Sequence, residues 1–238
     1  MSIKSKVLAA AATLTLVGGV GAAGALAASP ANAATASCGY GFAERCINIY
    51  NFQFGRNFLL DTFQQGERVN QPIILFQASN IDPAEDFTAS DLVVKGRPMT
   101  VNELQALDPI FSPATLVQYG YDDVYEFQYA PYGVDSGLCV GVKATAGQGE
   151  PVSLQPCGVS ANTVWIVDRA DTFLGGTVPL INGSNANFTH PYVLTYPAYG
   201  YPTDRPRPQL TVTELQTYSN YPHVAQNQLW GAFIGPVR

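Results

Sequence analysis

Three segments of the chain share one pattern, and this internal repeat constrains the fold more than any other feature of the sequence. Each segment has a pair of apolar residues, a polar loop, a strand-like stretch centred on a leucine, a second loop and then an aromatic residue. Leu75 and Leu154 of the first two segments are 79 residues apart, and the aromatic residues Phe87 and Trp165 are 78 apart. The third segment ends at Trp230. Offsets that agree at several points indicate a repeated structural unit.

The repeat and the local sequence together predict an all-β fold. Residues 47–51 and 124–129 alternate apolar and polar side chains, as strands do, and 22 glycines and 17 prolines disfavour long helices. A hairpin unit cannot bury its apolar face alone, but three units around a threefold axis close a barrel without a long free edge. We therefore predict a β-trefoil of three repeated four-stranded units, with the aromatic residue of each unit in the shared core. The alternative is a β-sandwich with an accidental match.

Loop insertions interrupt the repeat at residues 94–121 and 211–225. We predict one short helix over residues 99–107, within the first insertion. Thr100 and Glu103 have the spacing of a capping box, and an Asp-Pro pair follows the helix and ends it.

The N-terminal segment has the layout of a secretory signal peptide. Lys4 and Lys6 precede an uncharged run of Ala, Leu, Val and Gly, and small residues suited to a signal peptidase follow it. We therefore expect residues 1–36 to be the signal peptide and residues 37–238 to be one secreted, extracellular β-trefoil domain. A transmembrane anchor and a lipid-modified Cys38 are the alternatives.

The composition restricts the partners of the protein. The formal net charge is −6, only 13% of the residues are charged, and the sequence has no basic cluster, which argues against a nucleic-acid partner. A surface rich in Tyr, Asn, Gln and Thr suits a neutral glycan or an extracellular protein. No second apolar stretch of spanning length follows the N-terminal run, so we expect no membrane partner after cleavage. We also expect a monomer. The sequence indicates no cofactor.

The four cysteines are expected to form disulfides, because their number is even and the compartment is oxidising. Of the possible pairings we favour the two local ones, Cys38–Cys46 and Cys139–Cys157. A zinc site is the alternative, but the chain has no Cys-x-x-Cys pair and only two histidines.

The motifs that end the repeats resemble those of the ricin B-chain-type β-trefoil lectins. That family pairs a Cys-Leu-Asp strand with an Asn-Gln-x-Trp terminus around a Leu-x-x-Cys element. Leu-Gln-Pro-Cys at 154–157, followed by Asn-Thr-Val-Trp at 162–165, fits with Thr in place of Gln. Asn-Gln-Leu-Trp at 227–230 fits without substitution, and Ala-Glu-Asp-Phe at 84–87 fits poorly. The resemblance spans about residues 46–233 and implies a β-trefoil that binds carbohydrate.

The resemblance also implies how each unit would hold a sugar. Family sites use an aspartate of the first hairpin strand, an aromatic platform beside the leucine strand and an asparagine of the last loop. The carboxylate accepts sugar hydroxyls in charge-assisted hydrogen bonds, and the ring stacks on an apolar face of the pyranose. Family members close a within-unit disulfide where Cys139 and Cys157 lie. No unit of this chain retains the whole set of sugar contacts.

The first unit is the one that keeps the family aspartate, at Asp61, and it has Phe76 as a candidate platform. Ala84 replaces the family asparagine, so we consider Asn80 and Glu85 as substitute polar contacts. We expect the Asp61 carboxylate to face solvent and to contribute little to stability. Alternatively, this carboxylate accepts hydrogen bonds from turn amides.

The other two units lack the aspartate. The second unit has Asn162 as a candidate sugar contact but Gly141 at the aspartate position. The third unit has the candidates Asn227 and Gln228 but Thr195 at the aspartate position. Alternatively, Gln228 orders its own loop by hydrogen bonds to the backbone.

A second candidate binding surface is the stretch 192–221, which carries six tyrosines among prolines. Rings held on stiffened loops lose little entropy on binding, which favours recognition of sugars or proteins. In the alternative interpretation, these rings cover one end of the barrel.

The sequence gives little support for catalysis. It contains no Gly-x-Ser-x-Gly elbow, His-Glu-x-x-His motif or phosphate-binding loop. Asp122 and Asp123 are adjacent, so in a strand their carboxylates point to opposite faces. We therefore predict a secreted, non-enzymatic carbohydrate-binding module with partly degenerate sugar pockets. A protein-binding β-trefoil such as a protease inhibitor, and a structural secreted protein without sugar binding, are the alternatives.

Overall fold

Most of the chain between Cys46 and Ile234 is strand, turn or loop. The structure is a computed structural model, and it describes residues 46–79, 81–89, 92–94, 97–170, 176–184, 190–197, 201–203, 207–219 and 223–234. Twelve strands form one sheet and two more form a separate pair. The strands are β1 (Cys46–Asn51), β2 (Phe58–Thr62), β3 (Ile73–Gln77), β4 (Phe87–Ala89), β5 (Val93–Val94), β6 (Arg97–Pro98), β7 (Asp123–Tyr129), β8 (Leu138–Val142), β9 (Glu150–Pro156), β10 (Val164–Val167), β11 (Leu180–Asn182), β12 (Tyr192–Thr195), β13 (Thr211–Glu214) and β14 (Trp230–Phe233). The prediction of a mostly β chain is confirmed.

Six of these strands form a closed ring. β1 pairs with both β4 and β14, β4 pairs with β7, β7 with β10, and β10 with β11. A bridge between Val178 and Trp230 joins the segment before β11 to β14 and closes the ring. Closure satisfies the hydrogen-bonding edges that an open sheet leaves exposed.

Three further hairpins, β2–β3, β8–β9 and β12–β13, meet one another. Pro72 bridges to Ser153 between the first and second hairpins, and β9 pairs with β13 between the second and third. Ile74 bridges to Gln209 between the third and the first. Each hairpin therefore contacts both of the others.

The aromatic residues that end the three repeats lie in one core. Phe87, Trp165 and Trp230 are each at most 1% exposed and belong to a single apolar cluster, as predicted. The indole Nε1 of Trp165 donates to the carbonyl oxygen of Val140 at 2.9 Å, and that of Trp230 donates to the carbonyl oxygen of Leu194 at 2.7 Å. A buried indole N–H needs such an acceptor, and both tryptophans find it on the first strand of a hairpin.

The predicted capping box is confirmed. Helix α1 (Val101–Leu107) begins after Thr100, whose side chain accepts a hydrogen bond from the Glu103 amide at 3.3 Å. In return, the Glu103 carboxylate accepts a hydrogen bond from the Thr100 amide at 3.0 Å. This reciprocal pair satisfies two amides at the start of the helix.

The prediction of a single helix is wrong, because a second helix, α2 (Pro113–Tyr119), follows α1. The Ser112 side chain caps it by accepting from the Thr115 amide at 3.1 Å, and proline occupies the first turn. Apolar residues of the two helices and of strands β7, β10, β11 and β12 form a second core cluster. None of the helices in the described part of the chain is long and apolar enough to cross a bilayer.

A disulfide joins Cys139 of β8 to Cys157, just after β9, which confirms the predicted pairing within the second unit. The predicted Cys38–Cys46 pairing involves Cys38, which lies outside the described residues, as does the predicted signal peptide at 1–36. Asn80 also lies outside them.

Candidate functional site

Asp61 lies near the end of β2, where all five residues of the strand are buried. Its side chain is 3% exposed, and its Oδ2 atom has no hydrogen-bond partner among the described residues. Burial raises the pKa of Asp61 to about 8; the negative charge of Asp82 adds to the shift, and the positive charge of Arg207 opposes it. The expectation that Asp61 faces solvent is wrong, because it lies on a strand buried throughout its length.

Phe76 of β3 is half-buried, and the guanidinium of Arg207 lies 3.9 Å from the centre of its ring. The bridge between Ile74 and Gln209 brings the segment containing Arg207 alongside β3. The Nε atom of Arg207 is buried without a partner among the described residues. One face of the predicted sugar platform is therefore occupied by a cation from the third unit.

Glu85 is 2% exposed and lies in the short turn that follows Asp82. Its two carboxylate oxygens accept hydrogen bonds from the Ser79 amide at 2.9 and 3.0 Å. Burial raises the pKa of Glu85 to about 8, the Ser79 amide opposes the shift, and the charge of Asp61 adds to it. The Asp82 carboxylate accepts from the Ala84 amide at 3.0 Å and from Gln65 at 3.1 Å. Asp61 and Glu85 thus form a pair of buried carboxyl groups in the first unit.

A groove of about 350 Å³ opens at the turn that contains Glu85, because Pro83 of this turn is one of its lining residues. Gln65, Glu67, Pro83, Tyr129 and Tyr132 are among its lining residues. Burial raises the pKa of Tyr129 to about 12, and the carboxylates of Asp61 and Glu67 add to the shift. The Tyr132 ring is 49% exposed.

Two residues of this groove adopt backbone angles that are uncommon for residues other than glycine. Gln65 has φ 55° and Tyr132 has φ 58°. The Tyr132 amide donates to the Asp86 carboxylate at 3.0 Å, which holds the turn in place. Such left-handed residues cluster at functional sites, where the surrounding structure maintains them.

The equivalent region of the second unit is closed. A Cβ atom at Gly141 would lie 2.5 Å from the carbonyl oxygen of Asn162, so the position has no room for a side chain. The Asn162 side chain donates to the carbonyl oxygen of Val142 at 2.8 Å and accepts from Ser160. Asn162 therefore orders its own loop.

The third unit is also closed. The side-chain Nδ2 atom of Asn227 donates to the carbonyl oxygen of Tyr196 at 2.8 Å. Gln228 is fully buried; it donates to Thr213 at 2.9 Å and to the Glu214 carbonyl at 2.8 Å. Its oxygen accepts from the Gln216 amide at 2.7 Å. The interpretation of Gln228 as a loop-ordering residue agrees with these contacts.

No protein-family model matches the chain, and no curated protein matches it. Among solved structures, the designed threefold-symmetric protein ThreeFoil is similar over 79% of this chain and 96% of its own, with 14% sequence identity and a TM-score of 0.50. This likeness shows a β-trefoil fold. A mosquitocidal holotoxin matches this β-trefoil with 10% identity and a TM-score of 0.49, over 79% of this chain and 17% of the toxin. An earthworm lectin C-terminal domain mutant, in complex with 6'-sialyllactose, matches with 11% identity and a TM-score of 0.40, over 79% and 97%.

The predicted tyrosine surface of the β-trefoil is partly a core feature. Tyr196 is 1% exposed, and its ring packs edge-on against Phe54 at 4.8 Å. Tyr201 and Tyr218 are about half exposed, and Tyr201 contacts Phe58 at 5.2 Å. Tyr199 and Tyr221 lie outside the described residues.

Two other features of the β-trefoil are less suited to a polar ligand. An apolar cavity of about 360 Å³ lies between strands of the barrel and is lined by residues such as Ile49, Phe127 and Phe233. Its lining offers few polar groups to orient a sugar. Glu126 lies close to Cys139 and Cys157, but the two sulfur atoms are joined in the disulfide and provide no thiolate for a metal ion.

Proposed function

We propose that the protein is a secreted, non-enzymatic carbohydrate-binding module with one sugar pocket, at Asp61 of its first unit. The observation that carries the proposal is the buried Oδ2 atom of Asp61, which has no partner among the described residues. It stands at the position where the lectins that this chain resembles bind sugar hydroxyls. A buried acceptor without a donor is costly, and a sugar hydroxyl can satisfy it.

The sequence repeat and the strand pairing also support three related four-stranded units, β1–β4, β7–β10 and β11–β14. Each unit contains one of the three hairpins that contact one another. The second and third end in a tryptophan whose indole N–H donates to the first strand of its own hairpin. Secretion is supported by the N-terminal sequence and by the disulfide in the second unit.

The groove lined by Pro83 and Tyr129 supports a ligand longer than one sugar ring. Tyr132 presents a half-exposed ring in this groove, and Gln65 and Glu67 offer polar groups. Aromatic faces with a few oriented polar groups are typical of ligand sites. We propose that an oligosaccharide extends from the Asp61 pocket along this groove to Tyr132.

The carboxyl pair favours binding over catalysis. Both oxygens of Glu85 accept hydrogen bonds from the Ser79 amide, so this carboxylate is committed to the loop. A glycosidase needs one carboxyl group free to protonate the leaving oxygen and a second to act as nucleophile or base. Among the described residues, Asp61 is the one that has a buried carboxyl oxygen without a hydrogen-bond partner.

A glycan array followed by calorimetry with the best ligand tests the proposal. With a single pocket we expect a dissociation constant near the millimolar range, which corresponds to about −4 kcal/mol. Asp61→Asn keeps the size of the side chain but changes its hydrogen-bonding groups, and we expect it to abolish binding. Asp168→Asn, at another buried aspartate, is the matched control and should bind like the wild type. Absence of glycan binding by the folded wild type would contradict the proposal.

A protein-binding function is the second candidate, and the helical insertion favours it. Val117 and Tyr121 are 89% and 91% exposed, and Leu107 is 66% exposed. Apolar side chains on a surface become informative when they are grouped. A protease-inhibition panel tests this function. Inhibition by the wild type that is lost in the Val117→Ser, Tyr121→Ser double variant would support it, and inhibition of no protease in the panel would count against it.

A further inference from the structure

Arg207 lies against Phe76 of the first unit although it belongs to the third. Its guanidinium lies over the Phe76 ring at 3.9 Å, on the side of β3 reached through the Ile74–Gln209 bridge. A guanidinium over an aromatic face is attracted by the negative potential of the ring. The face on which a sugar would stack is therefore filled by a side chain of this same chain.

The groups around Arg207 are predominantly carboxyl groups. Asp61 of β2 attracts Arg207 electrostatically, and Asp82 and Glu85 lie close enough to Asp61 to influence its carboxyl or be influenced by it. The ion pairs among the described residues are Arg97–Glu103 and Arg169–Asp123. Arg207 and Asp61 thus attract each other without a direct ion pair.

The fit of Arg207 in this pocket is incomplete. Its Nε atom is buried without a partner among the described residues, and so is Oδ2 of Asp61. Each of these two buried atoms has lost its hydrogen bonds to water without gaining a hydrogen bond within the protein. A ligand that places a donor against Asp61 can recover one of these bonds, and Arg207 would regain water when displaced.

We propose that the Asp61 pocket is a site for a positively charged group, that Arg207 is its internal occupant, and that the external ligand is a glycan with free amino groups. The ligand class rests on the proposed carbohydrate-binding function; the cation site rests on the Phe76–Arg207 contact and the unpartnered Asp61 oxygen. The cation that the pocket already holds indicates the charge that it accepts. A sugar ammonium group supplies this charge and can donate to Oδ2 of Asp61.

The test empties the site with Arg207→Ala and uses methylguanidinium as the probe, followed by NMR titration at pH 9, where the Asp61 carboxyl, with a pKa of about 8, is ionised. Arg56→Ala is the matched control, because Arg56 also lies over aromatic rings, Tyr50 at 5.7 Å and Phe233 at 4.8 Å, but it is exposed. We expect saturable binding of methylguanidinium to Arg207→Ala, with shifts at Phe76, and no saturable binding to Arg56→Ala. Adding Asp61→Asn to Arg207→Ala should abolish it.

The second arm compares a glucosamine trimer with an N-acetylglucosamine trimer, whose nitrogen is uncharged. We expect Arg207→Ala to bind the glucosamine trimer about tenfold more tightly than the acetylated one, the factor that about 1.4 kcal/mol produces. The wild type should show the same preference with lower affinity, which keeps the test decisive if the variant fails to fold.

The outcomes separate the two proposals. Absence of methylguanidinium binding by the folded Arg207→Ala variant overturns the cation site, and a neutral glycan bound by the wild type would then leave the proposed function intact. Equal or tighter binding of the acetylated trimer overturns the ligand class. If methylguanidinium binds but no glycan binds either protein, the cation site stands and the carbohydrate-binding function fails.

Discussion

The first and third units of this β-trefoil differ in whether a candidate sugar contact is left without a partner. The difference is the reverse of what their motifs suggest. The third unit has the family Asn-Gln-x-Trp motif without substitution, yet the Gln228 side chain is hydrogen-bonded to Thr213, Glu214 and Gln216. The first unit carries the poorest match, yet its Asp61 retains a buried oxygen without a partner among the described residues. In this protein, a close match to the family Asn-Gln-x-Trp motif therefore indicates how the loop of a unit is held together. A polar group without a hydrogen-bond partner indicates where a ligand can bind.

The pH dependence of stability should distinguish the first unit most strongly. The pKa of Asp61 is raised from 3.8 to about 8 in the folded state, so the folded protein keeps a proton that the unfolded chain loses. The stabilising contribution of the protonated Asp61 side chain is then fully present below pH 4 and declines as the pH rises towards 8. Since one unit of pKa shift corresponds to about 1.4 kcal/mol, the contribution of Asp61 over this window is at most about 5 kcal/mol.

Chemical denaturation of the wild type and of Asp61→Asn at several pH values measures this contribution. The variant should match the wild type near pH 4 and be the more stable protein at pH 8. Thr195→Ala, at the corresponding position of the third unit, should retain the wild-type pH dependence. If the free energy of unfolding depends on pH in the same way in the wild type and in Asp61→Asn, then ionisation of Asp61 costs no stability. The first unit would then not differ from the others in its pH dependence.

Gly141→Ala tests whether the second unit is closed by its backbone. The carbonyl oxygen of Asn162 would lie 2.5 Å from the new Cβ atom, and this oxygen already accepts from the Val142 amide and the Asn182 side chain. Because these bonds restrain it, we expect a loss of about 3–4 kcal/mol in the free energy of unfolding. Gly147→Ala, where nothing lies within 4 Å of the added atom, should have little effect. Similar stability of both variants in urea titrations would contradict this account.

Gln228→Ala tests the third unit. The change removes four hydrogen bonds in a buried site and leaves the Gln216 amide without its acceptor. We expect a loss of about 2–3 kcal/mol in the free energy of unfolding. Glu85→Gln, at the corresponding position of the first unit, should be neutral or stabilising at pH 8, because burial raises the pKa of Glu85 to about 8. Equal destabilisation by both changes would remove the contrast between the units.

The sequence was informative wherever structure depends on apolar spacing or on neighbouring residues. The repeat placed Phe87, Trp165 and Trp230 in the core, and the capping box placed α1, because such signals are local or periodic. Helix α2 was missed although Ser112 and the proline after it are a start signal.

The state of the pockets depends on contacts between residues distant in sequence. Arg207 reaches Phe76 from another unit, and the carbonyl oxygen of Asn162 fills the space beside Gly141. The burial of Asp61 follows from packing over the whole length of β2. No motif in one segment contains this information, so the sequence indicated candidate positions without indicating which were open.

The pairing of β1 with β14 has a consequence for the synthesis of the protein. Residues Asn48 to Asn51 pair with residues Phe233 to Trp230, so the first strand of the described residues pairs with the last one. During synthesis, which proceeds from the N-terminus, the edge of β1 that pairs with β14 therefore stays exposed until β14 has been made. Contacts between such distant segments slow folding and leave strand edges open to aggregation. A chain truncated before β14 should accordingly fail to fold, since the missing strand is the one that completes the closed ring.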